Sequence, residues 1–419
     1  MKTDRRPILL VCLAVFGLMT GQQMVNPILA PLARELGFSE LALGLVMTVG
    51  ASGVVLTSPF WGRRAVAWGH RPVLLTSLVG AMAALLAFAI IAQIGLTGVL
   101  AVPLLFVLVL LTRGLVFGLA WAATPVTAQS YVADVTTGEA ERVRGMSMFG
   151  AAQGLALAVG PALGGLLSFG GLLLPMYVAP VILGAIAVVL WLSLPKPQAH
   201  RERPVMVKVS AFDRRMWPFL TAGFGMYLGL TIVLMTVGFL LQDRLHLAAD
   251  ETGQATGLVM LAGAGMIVIV QAVVIPRLGW KPARLIQTGS VIMTIGMIVV
   301  TIAQTGLLIA VGVGVLGLGL GFGMPGIMSA PTLLAAKEEL NAVAGLLNSA
   351  TALTFMVGPL IGNGLYEIAP ALPYVLGSVL LAILTVFAFV HPGVRQEPSV
   401  IRQAEQYKGY APAERPGRR

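Results

Sequence analysis

The chain has 419 residues, 57% hydrophobic and only 11% charged, with a net charge of +10 and a mean hydropathy of +0.91. A soluble domain carries about 25% charged residues, so this chain has too little polar surface to cover itself in water; its solvent is lipid. The basic excess is read as membrane topology and attraction to anionic headgroups, with no nucleic-acid partner.

Twelve apolar runs follow in chain order, each near the roughly 20 residues that cross a hydrocarbon core as a helix. The first six are 8–30, 41–61, 73–94, 99–123, 144–168 and 172–194; the second six are 216–241, 254–275, 285–304, 306–330, 342–365 and 372–391. Runs this long are not the short alternating strands of a barrel, and a helix satisfies its own backbone in lipid. The start, MKTDRR before an apolar core, resembles a secretory leader, but the run continues to Ala30 and eleven more follow, so it is read as the first span. Cys12, the one cysteine, is read as a packing residue, and the four histidines lie in or beside loops without metal-ligand spacing. No metal and no cofactor is expected. Residues 195–215, PKPQAHRERPVMVKVSAFDRR, are basic and proline-bearing between the two blocks of six, and read as a linker. The expected organisation is a bundle over 1–194, a cytoplasmic linker over 195–215, a second bundle over 216–391 and a disordered cytoplasmic tail over 392–419.

Arginine and lysine fix the expected orientation, because cytoplasmic loops are enriched in both. With the N-terminus inside, all but three of the 27 basic residues fall on the cytoplasmic side. Arg34 and Arg244 fall outside, and Arg113 lies within the fourth span. Both termini are therefore expected in the cytoplasm.

The two blocks share landmarks. Gly69-His70-Arg71-Pro72 precedes the third span and Gly279-Trp280-Lys281-Pro282 the ninth. VGPALGG (159–165) in the fifth span matches VGPLIGNG (357–364) in the eleventh, and Arg144-Gly145 and Ala344-Gly345 open those two spans. The same order at near-constant offset points to duplication, a six-plus-six parallel repeat.

With these motifs the chain resembles the major facilitator superfamily, and within it the drug:proton antiporter-like exporters of bacteria. The stretch PFWGRRAVAWGHRPVLL resembles the family's cytoplasmic signature through Gly62, Gly69 and Arg71, with Val66 where an Asp is usual. Arg113 resembles the intramembrane arginine of the fourth span, although Gly118 follows at five residues and not four. GPALGG resembles the exporter-associated signature, with Ala156 where an upstream glycine is usual. The resemblance implies an all-α membrane protein of twelve transmembrane helices in two six-helix pseudo-symmetric bundles. It also implies a monomeric secondary transporter, not an enzyme, that exports a small organic compound by alternating access with the proton as coupling ion. Two alternatives stay open: an exporter of a carboxylate siderophore or other organic anion, and a solute uptake symporter.

The residues narrow the chemistry. Gly160, Gly164 and Gly165 clear side chains from one strip and Pro161 bends the helix; Gly358, Pro359 and Gly362 repeat the device. These strips are read as the surface on which the halves rock, against a plainer reading as static tight packing. Arg113 is the one charge near mid-membrane, where a charge costs at least ~2.5–3.5 kcal/mol, so it is expected to face the bundle interior. It is read either as the grip on an anionic substrate or as a structural arginine bonded to backbone carbonyls. Gln22 and Asn26 share a helix face, and with Trp121, Gln153, Tyr227, Asn348 and Phe355 they are the candidate substrate contacts. No acid lies near a span centre. Asp134 is therefore the candidate proton carrier, and it is expected to latch to Arg63, Arg64 or Arg71.

Overall fold

The computed structural model describes residues 6–136, 139–194, 210–336 and 339–395; the expected linker from 195 to 209 and the tail from 396 onward lie outside the described residues. Twelve helices among them are long and apolar enough to cross a membrane. They are α1 (Arg6–Glu35), α2 (Glu40–Trp68), α3 (His70–Leu96), α4 (Val102–Val135), α5 (Glu139–Leu167) and α6 (Leu174–Ser193), then α7 (Trp217–Leu245), α8 (Ala249–Leu278), α9 (Pro282–Ile302), α10 (Gly306–Leu334), α11 (Leu340–Ile368) and α12 (Leu372–Val390).

Each apolar run coincides with one helix, and several helices outrun the apolar stretch. The second run ends near residue 61, yet α2 continues through Arg63 and Arg64 to Trp68, where Gly69 at φ +89° stops it. The fourth run ends near residue 123, yet α4 continues to Val135, which places Asp134 on the helix. Hydropathy measures the hydrocarbon thickness; backbone hydrogen bonding carries on into the headgroup zone until a residue ends it. At the other end α1 runs to Glu35 and α2 restarts under a serine cap, with Ser39 Oγ accepting from Ala42 N–H at 3.2 Å.

The packing repeats from half to half. In the first, α1 packs on α5, α3 on α6 and α2 on α4; in the second, α7 packs on α11, α9 on α12 and α8 on α10. The halves meet along two equivalent seams, α5 against α8 and α11 against α2, and α1 also touches α7 and α8. An even number of spans puts Arg6 and Arg395 on one face, here the terminal face; the opposite one is the distal face.

Candidate functional site

The two glycine-proline strips sit where the halves meet, but each faces two neighbours. A Cβ at Gly160 would stand 2.4 Å from Gln23 Cβ, and one at Gly164 2.1 Å from Met24 O, so both face α1 of their own half. Only Gly165 turns outward, where its Cβ would meet Gly257 Cα of α8 at 2.9 Å. The second strip behaves alike: Gly358 faces Thr231 and Gly362 faces Ile232 and Thr236, all on α7. The single rocking strip expected from the sequence is thus divided, because glycines at successive turns and the one beside them look in different directions on a helix. Both seams are closed by the carbonyl of the strip's proline. A Cβ on Gly257 would stand 2.8 Å from Pro161 O, and one on Gly44 of α2 2.7 Å from Pro359 O. Such contact needs glycine on the facing helix.

The distal ends of the seams carry polar bonds that the sequence reading did not find. Arg34, at the end of α1, forms a two-pronged ion pair with Asp243 of α7, with Nη2 and Oδ2 at 2.9 Å. Its Nη2 also reaches Glu40 Oε1 at 2.7 Å, and its Cζ lies 5.0 Å over the ring of Phe239. Tyr366 of α11 donates to Asp243 Oδ2 at 2.7 Å. Leu41 N–H donates to Glu367 at 2.9 Å, and Thr48 Oγ1 to Met356 O at 2.8 Å, both across the halves. Toward the terminal face the picture reverses. Cβ atoms at Gly150 and Gly154 of α5 and Gly345 of α11 would meet nothing within 4 Å, and Asn348 and Phe355 are exposed. The halves are joined distally and part toward the termini.

Arg113 lies in a π-helical stretch, Leu110–Val116, inside α4. A π turn takes up one extra residue. That accounts for the five-residue step from Arg113 to Gly118: the turn absorbs the insertion and keeps Gly118 against α2, where a Cβ would stand 2.3 Å from Gly50 O. Arg113 itself is 3% exposed, with Cζ 4.6 Å over the ring of Phe117. Its Nε and Nη2 are buried and meet no protein acceptor, so these two nitrogens are not bonded to backbone carbonyls. Leaving a charged donor unmet costs about 1–3 kcal/mol or more, which a purely structural arginine has no reason to incur.

The other expected contacts scatter. Asn26 donates to Gln23 Oε1 at 2.7 Å, so its partner is Gln23 and not Gln22, which is half-buried nearby. Asn26 Oδ1 is a buried acceptor without a partner and lines a small pocket between the halves with Leu43, Met235, Thr256 and Met260. Trp121 is half-buried with an unpartnered Nε1, two turns along α4 from Arg113. Gln153 is half-buried and Tyr227 buried. Asp134 departs from expectation: its carboxylate meets His70 Nε2 at 3.2 Å. The three arginines expected to hold it are engaged or placed elsewhere. Arg64 stacks over Phe60 and Trp68, Arg71 donates to Trp191 O, and Arg63 is exposed. His70 opens α3 directly opposite the end of α4, whereas Arg63 and Arg64 lie on the last turns of α2.

The Major Facilitator Superfamily family model matches residues 11–350. The chain belongs to the Major Facilitator Superfamily. It is 26% identical over 387 residues to the class C tetracycline resistance protein of Escherichia coli, covering 87% of this chain and 91% of that one. To the class G tetracycline resistance protein of Vibrio anguillarum it is 27% identical over 381 residues, covering 85% and 90%. Among solved structures it resembles a bacterial homologue of the human lysosomal transporter Spinster, inward-facing and occupied, with a TM-score of 0.69 at 16% identity, covering 93% of this chain and 97% of the other. The nucleoside transporter NupG gives 0.68 at 13% identity, covering 93% and 100%. As a member of this superfamily the protein is a multi-pass secondary transporter of the inner membrane and not an enzyme. Two halves closed at one face and parted at the other have the geometry such transport needs.

Proposed function

We propose that this transporter exports a small organic compound presenting an anionic or oxygen-rich edge, in exchange for protons, by alternating access. The observation that carries the reading is Arg113: a buried guanidinium with two unmet donors, and the one charged side chain that is buried among the described residues. A planar fork of donors grips carboxylate or enolate oxygens two at a time. Trp121 Nε1 adds a third donor from the same helix, and Asn26 Oδ1 an acceptor for a donor group of the substrate. Relatives named for tetracycline resistance support export, and make tetracycline the first compound to try. The arginine and lysine distribution supports a cytoplasmic placement of both termini and of the 195–215 linker. On that placement the terminal face opens to the cytoplasm, and the conformation is inward-open. Asp134 beside His70, at the cytoplasmic end of α4, is the pair we assign to the transported proton.

The test is uptake into everted vesicles driven by an imposed pH gradient. Arg113→Gln should lose binding of an anionic substrate by about tenfold or more, and Arg113→Lys by less, while a cationic dye is handled no worse. Equal loss of every substrate together with a fall in Tm would instead make Arg113 structural. Asp134→Asn should leave binding intact and abolish the dependence on the gradient. Labelling of a single cysteine at position 199, in a Cys12→Ser background, by an impermeant thiol reagent in intact spheroplasts would overturn the orientation.

A further inference from the structure

The cluster at the distal face is divided unevenly between the halves. Arg34 and Glu40 belong to the first half, on α1 and α2; Asp243 and Tyr366 belong to the second, on α7 and α11. One guanidinium therefore serves two carboxylates, one from each side of the seam. If the halves separate with Asp243 ionised, its carboxylate leaves its cation behind. If Asp243 first takes a proton, each side departs neutral: Arg34 stays with Glu40, and the acid stays with the Tyr366 hydroxyl. The Asp243 side chain is 34% exposed, so a proton reaches it from the distal water without crossing the protein.

We infer that Asp243 is a proton-operated lock on the distal gate: ionised, it holds the halves closed through Arg34, and protonated, it releases them. The inference rests on the alternating-access reading. It concerns a proton that gates the distal face, taken from and returned to that side, and so is separate from the transported proton assigned to Asp134. The other groups around Asp243 leave it this role. Among the described residues, α1 and α2 bring Arg34 and Glu40 to it. From α11 come Tyr366, donating to Asp243, and Glu367, which is held by Leu41 N–H. Arg244, next in sequence, is turned away to the carbonyls of Val300 and Thr301 at 3.2 and 2.9 Å. His246 closes α7 on the same helix, and Tyr374 of α12 lies near enough to interact with Asp243.

The experiment places spin labels at Val99→Cys and Leu307→Cys, exposed distal positions in opposite halves, in a Cys12→Ser background. The full chain in lipid nanodiscs is then titrated between about pH 8 and about pH 4 while the label distance is measured. Acidification should convert a short distance into a long one. Asp243→Asn, which mimics the protonated acid, should show the long distance at neutral pH, raising the open:closed ratio about tenfold or more and removing the titration. Glu40→Gln leaves Arg34 wholly to Asp243 and should shift the opening to lower pH. Tyr366→Phe, which keeps both charges, guards against misfolding in the Asn variant: it should still titrate, with a midpoint moved to higher pH because the ionised form loses a donor. A titration shifted by His246→Gln and untouched by Asp243→Asn would overturn the lock. Lengthening with substrate but without pH dependence would overturn the lock and leave alternating access standing. A distance that never lengthens under any condition would overturn both.

Discussion

The two seams between the halves are equivalent in position and differ in chemistry. Where α5 meets α8, Gly165 and Gly257 lie backbone to backbone and the contact is van der Waals. Where α11 meets α2, the residue equivalent to Gly165 is Asn363, which is fully buried. With its amide oriented to satisfy both ends, Asn363 accepts from Gly44 N–H at 3.1 Å and donates to Met235 O at 3.2 Å. The Thr48–Met356 and Leu41–Glu367 bonds lie on this same seam. The two seams thus share the shape of the contact and differ in its energetics. One seam is a steric contact between glycines, held by dispersion and without directional bonds. The other is a set of directional hydrogen bonds.

The sharpest break of this comparison is at Gly257. A leucine there would force its Cβ to within 2.5 Å of Gly165 Cα, so the α5–α8 seam cannot close as it does now. We predict that Gly257→Leu moves the distal gate toward open by about 3 kcal/mol, a hundredfold or more in population, and stops transport while the protein still inserts. Wild-type transport rates at normal expression would show the seam to be static packing. Gly165→Leu should act alike.

Gly164→Leu is the matching control, one residue away. Its Cβ would press on Met24 O within the same half, so the expected outcome is a loss of stability of about 1–3 kcal/mol, read as a lower Tm, with no selective change in gate populations. A gate shift without loss of stability would contradict the assignment of Gly164 to the α1 contact.

On the bonded seam, Asn363→Ala removes one hydrogen bond across the seam, to Gly44, and one within its half, to Met235, and should favour the open distal gate by about 1 kcal/mol, near fivefold. Asn363→Gly would recreate the glycine seam on this side. If bonding and not bulk distinguishes the seams, it should behave like the alanine variant.

The smallest effect belongs to the terminal face. Arg215 joins Asp213 at 2.8 Å to Glu339 at 3.4 Å, tying the start of α7 to the start of α11. The Arg215 side-chain bond holds the Asp213 carboxyl below its usual range; the Ala336 N–H first, and then Arg215, do the same for Glu339. Both are lowered on folding, so their contribution is fully present above the ordinary carboxylate range and is lost as pH falls through the depressed values. Because the three groups lie near water, the sum should stay within about 1 kcal/mol. Arg215→Ala should lower Tm by a few degrees or less at neutral pH, and that difference should vanish in acid.

The twelve spans were legible because hydropathy is a local property: each run of about 20 apolar residues reports its own solvent. Arg113 was legible for the same reason, as a lone charge in an apolar stretch. The Gly-Pro strips were visible as motifs, but their facing was not, since Gly164 and Gly165 are neighbours in sequence and point at different helices. The distal cluster escaped entirely. Arg34 was sorted as an exception to the charge bias, and its partner Asp243 lies 209 residues away in the other half. Asp134 was sensed as important and matched to arginines, because sequence ranks partners by charge while the fold brings His70 to the end of α4. The sequence alone determined how many helices cross the membrane and which residues are costly to bury there, since both follow from the local free energy of transfer to lipid. Only the tertiary structure decided which glycine faces which helix, which cation meets which acid, and which face of the transporter is shut, because those depend on contacts between segments far apart in the chain.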